Sequence, residues 1–362
     1  MSFYSDTLPL LCMIFSLAFW ILSSKEGENV FLKGILRKFL WYLDGIWFMI
    51  TSKDNKGIGK KLENPEEIKK CSDVTTKRIV FIRHGESDWN DVFNKGFGPS
   101  ILVRIAKAMF RELKLYPTGD SVFLDSPLNH EGFNQALELG RFIKASGDPN
   151  AAPDQNNQKF SELLTVLRGD STDPVTGQPA LSSIIVSSNL RRAISTCTTA
   201  LWDRVTATKE KVFLFSGLQE ISRNVDTKAL SDAQSIPDLS RITQYVPSFS
   251  ADALQYYDVT ENFGNKSKSF TGIKRMKAFG DWAFTRPEDV IITSGHSLWF
   301  KFFFGEYLPH SSTHIAKSTK IVNSGVVSFV LSRGTLDGAA VFYIEEESIN
   351  TLFGGFEVKK KK

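Results

Sequence analysis

Three short apolar runs constrain this chain more than any other feature: "RIVFIRHG" at 78–85, "SIIVSSNLRR" at 183–192 and "DVIITSGH" at 289–296. Each is rich in β-branched residues, too brief for a helix, and bounded by turn formers, which marks a strand buried on both faces. Between them the pattern turns helical. Phe133, Ala136, Leu137 and Gly140 share one face of residues 131–145, and a second helix is expected from Leu190 to about Val205. Late strands are expected near 325–331 and 340–345. Strands alternating with helices predict an α/β fold, a three-layer sandwich with a mostly parallel central sheet flanked by helices. In such sheets ligands bind beyond the carboxyl ends of the strands. If the three strands are parallel neighbours, Arg83, His84, Arg191 or Arg192, and His296 gather over one edge. Two guanidiniums and two imidazoles without matching acids suit a dianion, and phosphate fits the planar fork of arginine.

Those junctions carry a resemblance. "RHGES" followed by Asn90 resembles the signature of the histidine phosphatase superfamily, in its phosphoglycerate mutase-like branch. "SNLRRAIST" is similar to the family's second motif, which implies that Arg192 enters the pocket beside its neighbour Arg191. "LQE" at 218–220 resembles the segment of the proton-donating glutamate, and "SGHS" at 294–297 that of the second histidine. The four motifs stand in family order across residues 76–345.

The resemblance implies a phosphomonoester hydrolase of the metal-independent histidine acid phosphatase type (EC 3.1.3.-), with His84 as nucleophile. Neutral imidazole offers a lone pair near pH 7, and its other nitrogen should donate to a backbone carbonyl. Arg83, Arg192 and a protonated or donor His296 would bind the substrate phosphate and stabilise charge on the transferring oxygens. Glu220 would protonate the leaving oxygen, and for that its pKa should be raised by partial burial, with nearby cations opposing. Asn90 and Ser87 either contact substrate or cap the next helix. Glu86 is expected to orient the loop, and His310 and His314 to be ordinary loop histidines. No cofactor or metal is expected.

Departures from the mutase pattern favour a phosphatase over a phosphoglycerate mutase-type phosphotransferase: 34 residues separate Asn90 from Asp125, and "EISRNVDT" follows Glu220. A membrane-tethered scaffold that binds phosphorylated ligands without catalysis is the alternative of another class, disfavoured because every site residue is present. Within the insertion, residues 101–117 predict a helix with Arg104, Lys107, Arg111 and Lys114 on one face and Leu102, Ile105, Met109 and Leu113 on the other. That basic face is expected either to be solvated or to meet an acidic substrate or headgroup.

The formal charge of +4 gives no case for nucleic acid. Residues 1–71 carry net +2 and those from 352 onward net +3, which leaves the middle near neutral. Residues 1–50 are expected to be a hydrophobic anchor plus interfacial segment, 51–71 a polar linker, 72–351 the catalytic domain and 352–362 a lysine-rich tail. Thr7 to Ser24 holds no charge, so residues 8–24 predict an uncleaved transmembrane anchor, with a signal or transit segment and a buried helix as the alternatives. Cations downstream would leave the domain in the cytosol, and the final lysines resemble an endoplasmic reticulum retrieval signal. The stretch "FLWYLDGIWFMI" at 39–50 is too short to span and predicts an interfacial or docked helix.

Overall fold

The computed structural model describes Ser23 and residues 29–60, 64–96, 98–147, 160–174 and 176–358. The expected anchor at 8–24, Ser23 apart, and the terminal lysines lie outside these. Helix α1 (Val30–Thr51) comes first, followed by strand β1 (Thr75–Arg83), helices α2 (Asp88–Phe93), α3 (Ser100–Leu115), α4 (His130–Ala145) and α5 (Ser161–Arg168), and strand β2 (Ser183–Ser188). Helix α6 (Arg191–Thr208), strands β3 (Val212–Phe215) and β4 (Tyr257–Asp258), helix α7 (Gly272–Thr285), strand β5 (Val290–Gly295) and helix α8 (Ser297–Tyr307) continue the alternation. Strands β6 (Val326–Leu336), β7 (Ala339–Ile344) and β8 (Asn350–Phe353) close the sheet.

The strand order is β4-β3-β2-β5-β1-β6-β7, with β8 also on β6. Strands β4 to β1 along this order run parallel, whereas β6 pairs antiparallel with β1, β7 and β8. The sheet is therefore mixed, and the three signature strands are adjacent parallel neighbours at its centre. Strand periodicity sends alternate residues to opposite layers. Val80, Ile82, Ile185 and Ile292 pack beneath α4, α5 and α6, while Ile79, Phe81, Ile184 and Ile291 pack against α7 and α8. Phe81 stacks on Phe300 of α8 with ring centroids 4.0 Å apart, so the strand that ends at Arg83 and His84 is clamped by aromatic packing.

Several segments differ from expectation. Residues 39–50 keep to one of the two arrangements expected, a docked helix, but as the second half of a 22-residue α1 that packs through Gly34, Lys38, Gly45 and Phe48. Within 51–60 and 64–71, expected to be a polar linker, Asp54 is buried between Lys266 and Arg275, and Ile68 is buried as well. The domain also runs past 351, because β8 pairs with β6, Phe356 bridges to Ile321, and Glu357 reaches Arg83. In α3 the basic face turns inward in part. Arg111 grips both oxygens of Asp88 at 2.8 Å and Arg104 donates to the carbonyl oxygens of Val92 and Gly96, while Leu102, Met109 and Leu113 are exposed. Charged groups found carbonyl and carboxylate partners in the loop below, and that outweighed the usual inward preference of the apolar side. Among the described residues no helix is long and apolar enough to cross a membrane.

Candidate active site

The carboxyl ends of β1, β2 and β5 deliver Arg83 and His84, then Ser188, then His296, to one place. Gly85 lets the chain turn there. A Cβ at Gly85 would stand 2.4 Å from the carbonyl oxygen of Gly132, and one at Gly132 would stand 2.1 Å from that of Glu86. The loop after β1 and the start of α4 thus touch backbone to backbone, which only glycine permits. Glu86 orients this loop, since it accepts from Asn129 Nδ2 at 2.8 Å and pairs with Lys95 at 2.9 Å.

His84 is buried, and its Nδ1 lies 2.6 Å from the carbonyl oxygen of Gly85. A carbonyl only accepts, so Nδ1 carries the proton and Nε2 the lone pair. Arg192 Nε lies 3.3 Å from that Nε2. Burial, then the charges of Arg192 and Arg83, hold the His84 pKa well below the usual imidazole range. The His296 ring centroid is 5.1 Å away, with its Nε2 2.9 Å from Ser188 Oγ and no partner for Nδ1 among the described residues. Burial and Arg192 also push the His296 pKa well down. Both effects disfavour the imidazolium form, and in a neutral ring with Ser188 Oγ donating to Nε2 the proton sits on Nδ1.

Arg83 and Arg192 are both buried, and each is held from behind. Arg83 Nη1 donates to the carbonyl oxygen of Ile321 and to Glu357 Oε1, the latter at 2.8 Å. Arg192 Nη1 donates to the carbonyl oxygen of Asp226 at 2.7 Å, and Nη2 lies 3.4 Å from Asp226 Oδ2. Arg191, one helical step away, points elsewhere, pairing with Asp120 at 2.5 Å. Glu220 sits at the start of α8, accepting from the amides of Ile221 at 3.0 Å, Leu298 at 3.2 Å and Trp299 at 2.8 Å. Asn90 lines the cavity, whereas Ser87 does not; Ser87 is the buried N-cap of α2, its oxygen accepting from the Asn90 amide at 3.2 Å. His314 is a local cap, its Nδ1 accepting from the Ala316 amide at 3.2 Å.

A cavity of about 90 Å³ is lined by Arg83, His84, Asn90, Arg192, Glu220 and Asp226, with Lys320 among its other walls, whereas the fully buried His296 does not line it. A larger surface hollow of about 550 Å³ lies between Gly140 and Trp202 and contains none of them. We place the chemistry in the smaller one, where the buried cations converge.

Sequence reasoning missed four members of this neighbourhood. Asp226 is buried with Oδ1 unpartnered among the described residues, and its carboxyl is pushed up to about 6 by burial, with Arg192 opposing and Glu220 adding to the rise. Lys266 Nζ donates to the carbonyl oxygens of Glu220 at 2.7 Å and Ser222 at 2.9 Å and to Asp54 at 2.9 Å; Arg275 holds Asp54 at 2.5 Å. Burial lowers the Lys266 pKa to about 8 against the pull of Asp54. Together these groups fix the 219–228 segment that carries Glu220. The one advance signal was the run of polar residues "EISRNVDTK" in a stretch without helical or strand periodicity.

No family model and no curated protein matches the chain. Among solved structures it is similar to a mycobacterial glucosyl-3-phosphoglycerate phosphatase, with 15% identity, 75% of this chain and 98% of that chain covered, and a TM-score of 0.34. It is similar to a phosphoglycerate mutase from Bacillus anthracis, with 15% identity, coverage of 76% and 93%, and a TM-score of 0.36. A phosphoserine phosphatase mutant from Entamoeba histolytica gives 16%, 73% and 94%, and 0.32. At such scores these likenesses add no weight to the geometry above, which agrees with the motif resemblance.

Proposed function

We propose that this chain is a phosphomonoester hydrolase of the histidine phosphatase superfamily, phosphoglycerate mutase-like branch, acting through a phosphohistidine on His84. One observation carries this: His84 is held with Nδ1 on the Gly85 carbonyl and Nε2 facing the Arg192 guanidinium, in a cavity that Arg83 also lines, with the His296 ring centroid 5.1 Å from that of His84. A phosphoryl group gripped by Arg192 and Arg83 stands against the Nε2 lone pair. The P–N bond forms as the bond to the leaving oxygen breaks, and Glu220 gives its proton to that oxygen. Water then attacks phosphorus, Glu220 takes its proton back, and the P–N electrons return to Nε2. His296 donates Nδ1–H to a phosphoryl oxygen throughout.

A second reading of the proton donor rests on a specific observation. Asp226 reaches the same cavity with a free Oδ1 and a carboxyl pushed up to about 6. Glu220→Gln and Asp226→Asn separate the two: the true donor's loss spares esters with acidic leaving groups, which need no protonation, and abolishes turnover of alkyl phosphates.

The test of the whole is hydrolysis of a generic phosphate ester by the parent and by His84→Ala, with trapping of an acid-labile phosphoenzyme. His84→Ala should lose activity by more than about 10⁴-fold and form no phosphoenzyme. Unimpaired turnover without His84 would refute it. The mutase reading is checked by transfer to a phosphorylated acceptor, and is disfavoured by the long insertion and by "EISRNVDT" after the acid.

A further inference from the structure

Helix α1 is amphipathic in the inverted sense. Its inward face is Gly34, Lys38, Gly45 and Phe48, where Lys38 is buried against Glu112 at 3.1 Å. The outward face carries Leu32, Phe39, Leu43, Ile46, Trp47 and Ile50, all exposed. Their spacing of three, four and seven puts them on one stripe along the whole helix. Helix α3, tied to α1 by the Lys38–Glu112 pair, likewise exposes Leu102, Met109, Phe110 and Leu113. Apolar surface on this scale on a lone chain marks an interaction site.

The C-terminal end of the stripe names the partner. A groove of about 800 Å³ there begins at Thr51 and is lined by Lys53, Lys56, Lys60, Lys268 and Lys274, and no acidic side chain lines it. Lys268 Nζ stands 4.7 Å over the Trp47 ring, so stripe and groove are continuous. The residues that lead into α1 from Thr7 to Ser24 are uncharged and apolar. Lys33, Arg37 and Asp44 within α1 suit a helix lying in the interface plane rather than crossing it.

We propose that α1 and the lysine groove form a docking surface for an anionic bilayer, the stripe entering the acyl boundary and the five lysines meeting lipid headgroups. An apolar stripe running into a cationic groove reproduces the layering of such a membrane, acyl chain beneath and negative charge above. This holds whatever the catalytic site does.

The experiment uses the full chain with vesicles of phosphatidylcholine, alone or with phosphatidylserine, bearing brominated acyl chains. Fluorescence lost by the parent but not by Trp47→Phe reports Trp47 itself, independently of any other attachment. Expected are quenching that requires phosphatidylserine and a loss of partitioning of about fivefold per lysine in Lys56→Gln and Lys268→Gln. Leu43→Gln with Ile46→Gln should abolish Trp47 quenching while leaving hydrolysis of a soluble ester unchanged. Three outcomes overturn the assignment: no Trp47 quenching with a monomer in solution, which would mean that the chain covers its own stripe; a dimer that dissociates in the Leu43→Gln, Ile46→Gln variant; or quenching indifferent to phosphatidylserine and to the lysines.

Discussion

Replacing Asp226 by asparagine keeps the shape of a buried group and removes its charge, so the effect of its environment becomes measurable. The carboxyl is pushed from 3.8 to about 6, first by burial, then by Glu220 and Asp125, with Arg192 and Lys266 opposing. Between these two values the folded chain keeps a proton that the unfolded chain has released. The resulting stability is complete below 3.8 and is lost as pH rises through about 6. Roughly two pH units at 1.36 kcal/mol each give about 3 kcal/mol. His84 and His296, whose pKa values are lowered, contribute in the opposite sense: their share is present above 6.5 and falls away toward acid. The observable is therefore a difference. Urea unfolding of Asp226→Asn and of the parent, from about pH 3.5 to about pH 7.5, should show the variant gaining about 3 kcal/mol on the parent across that range. A difference that stays flat with pH would refute the reasoning, because it would mean that Asp226 releases its proton alike in both states.

Three further outcomes are expected. In the Asp226→Asn background, kcat/KM for a soluble ester, corrected for the ester's own ionisation, should hold level as pH falls through 6.5, because His84 stays neutral there; a decline of about tenfold per unit from 6.5 would mark an ordinary histidine. Gly85→Ala should lower the melting temperature and the activity together, because the added methyl meets the Gly132 carbonyl at 2.4 Å; overpacking of this kind costs about 1–3 kcal/mol or more by chemical denaturation. Asp54→Ala should destabilise by about 3–5 kcal/mol in the same assay, since it strands Lys266 and Arg275 in the interior.

How much of this was legible depended on whether the signal was local. The strand ends were readable because an apolar run stopped by Arg, His or Gly is a local pattern, and the topology set β1, β2 and β5 side by side. The choice of Arg192 over Arg191 came from the motif; the structure shows its cause, since adjacent helical positions lie about 100° apart and only one can face His84. Asp54, Asp226 and Lys266 were not legible, because each acts through partners far away in the chain, and a lone acid or lysine in a polar run carries no sign of burial. The orientations of α1 and α3 defeated periodicity for another reason. A hydrophobic stripe reveals that two faces differ, but not which one meets the domain, and here Lys38–Glu112 and Arg111–Asp88 drew the polar faces inward.

The place of β1 in the sheet bears on how the molecule comes into being. Its left and right neighbours are β5 and β6, so Arg78 pairs with Val290 on one side and Val330 on the other, both emerging from the ribosome more than about 200 residues later. Until then the segment bearing His84 has both edges unsatisfied and nothing to hold it. A nascent or truncated polypeptide that stops short of β5 should be catalytically silent and sticky, and activity should arrive in a single step once the late strands are available to enclose the earliest one.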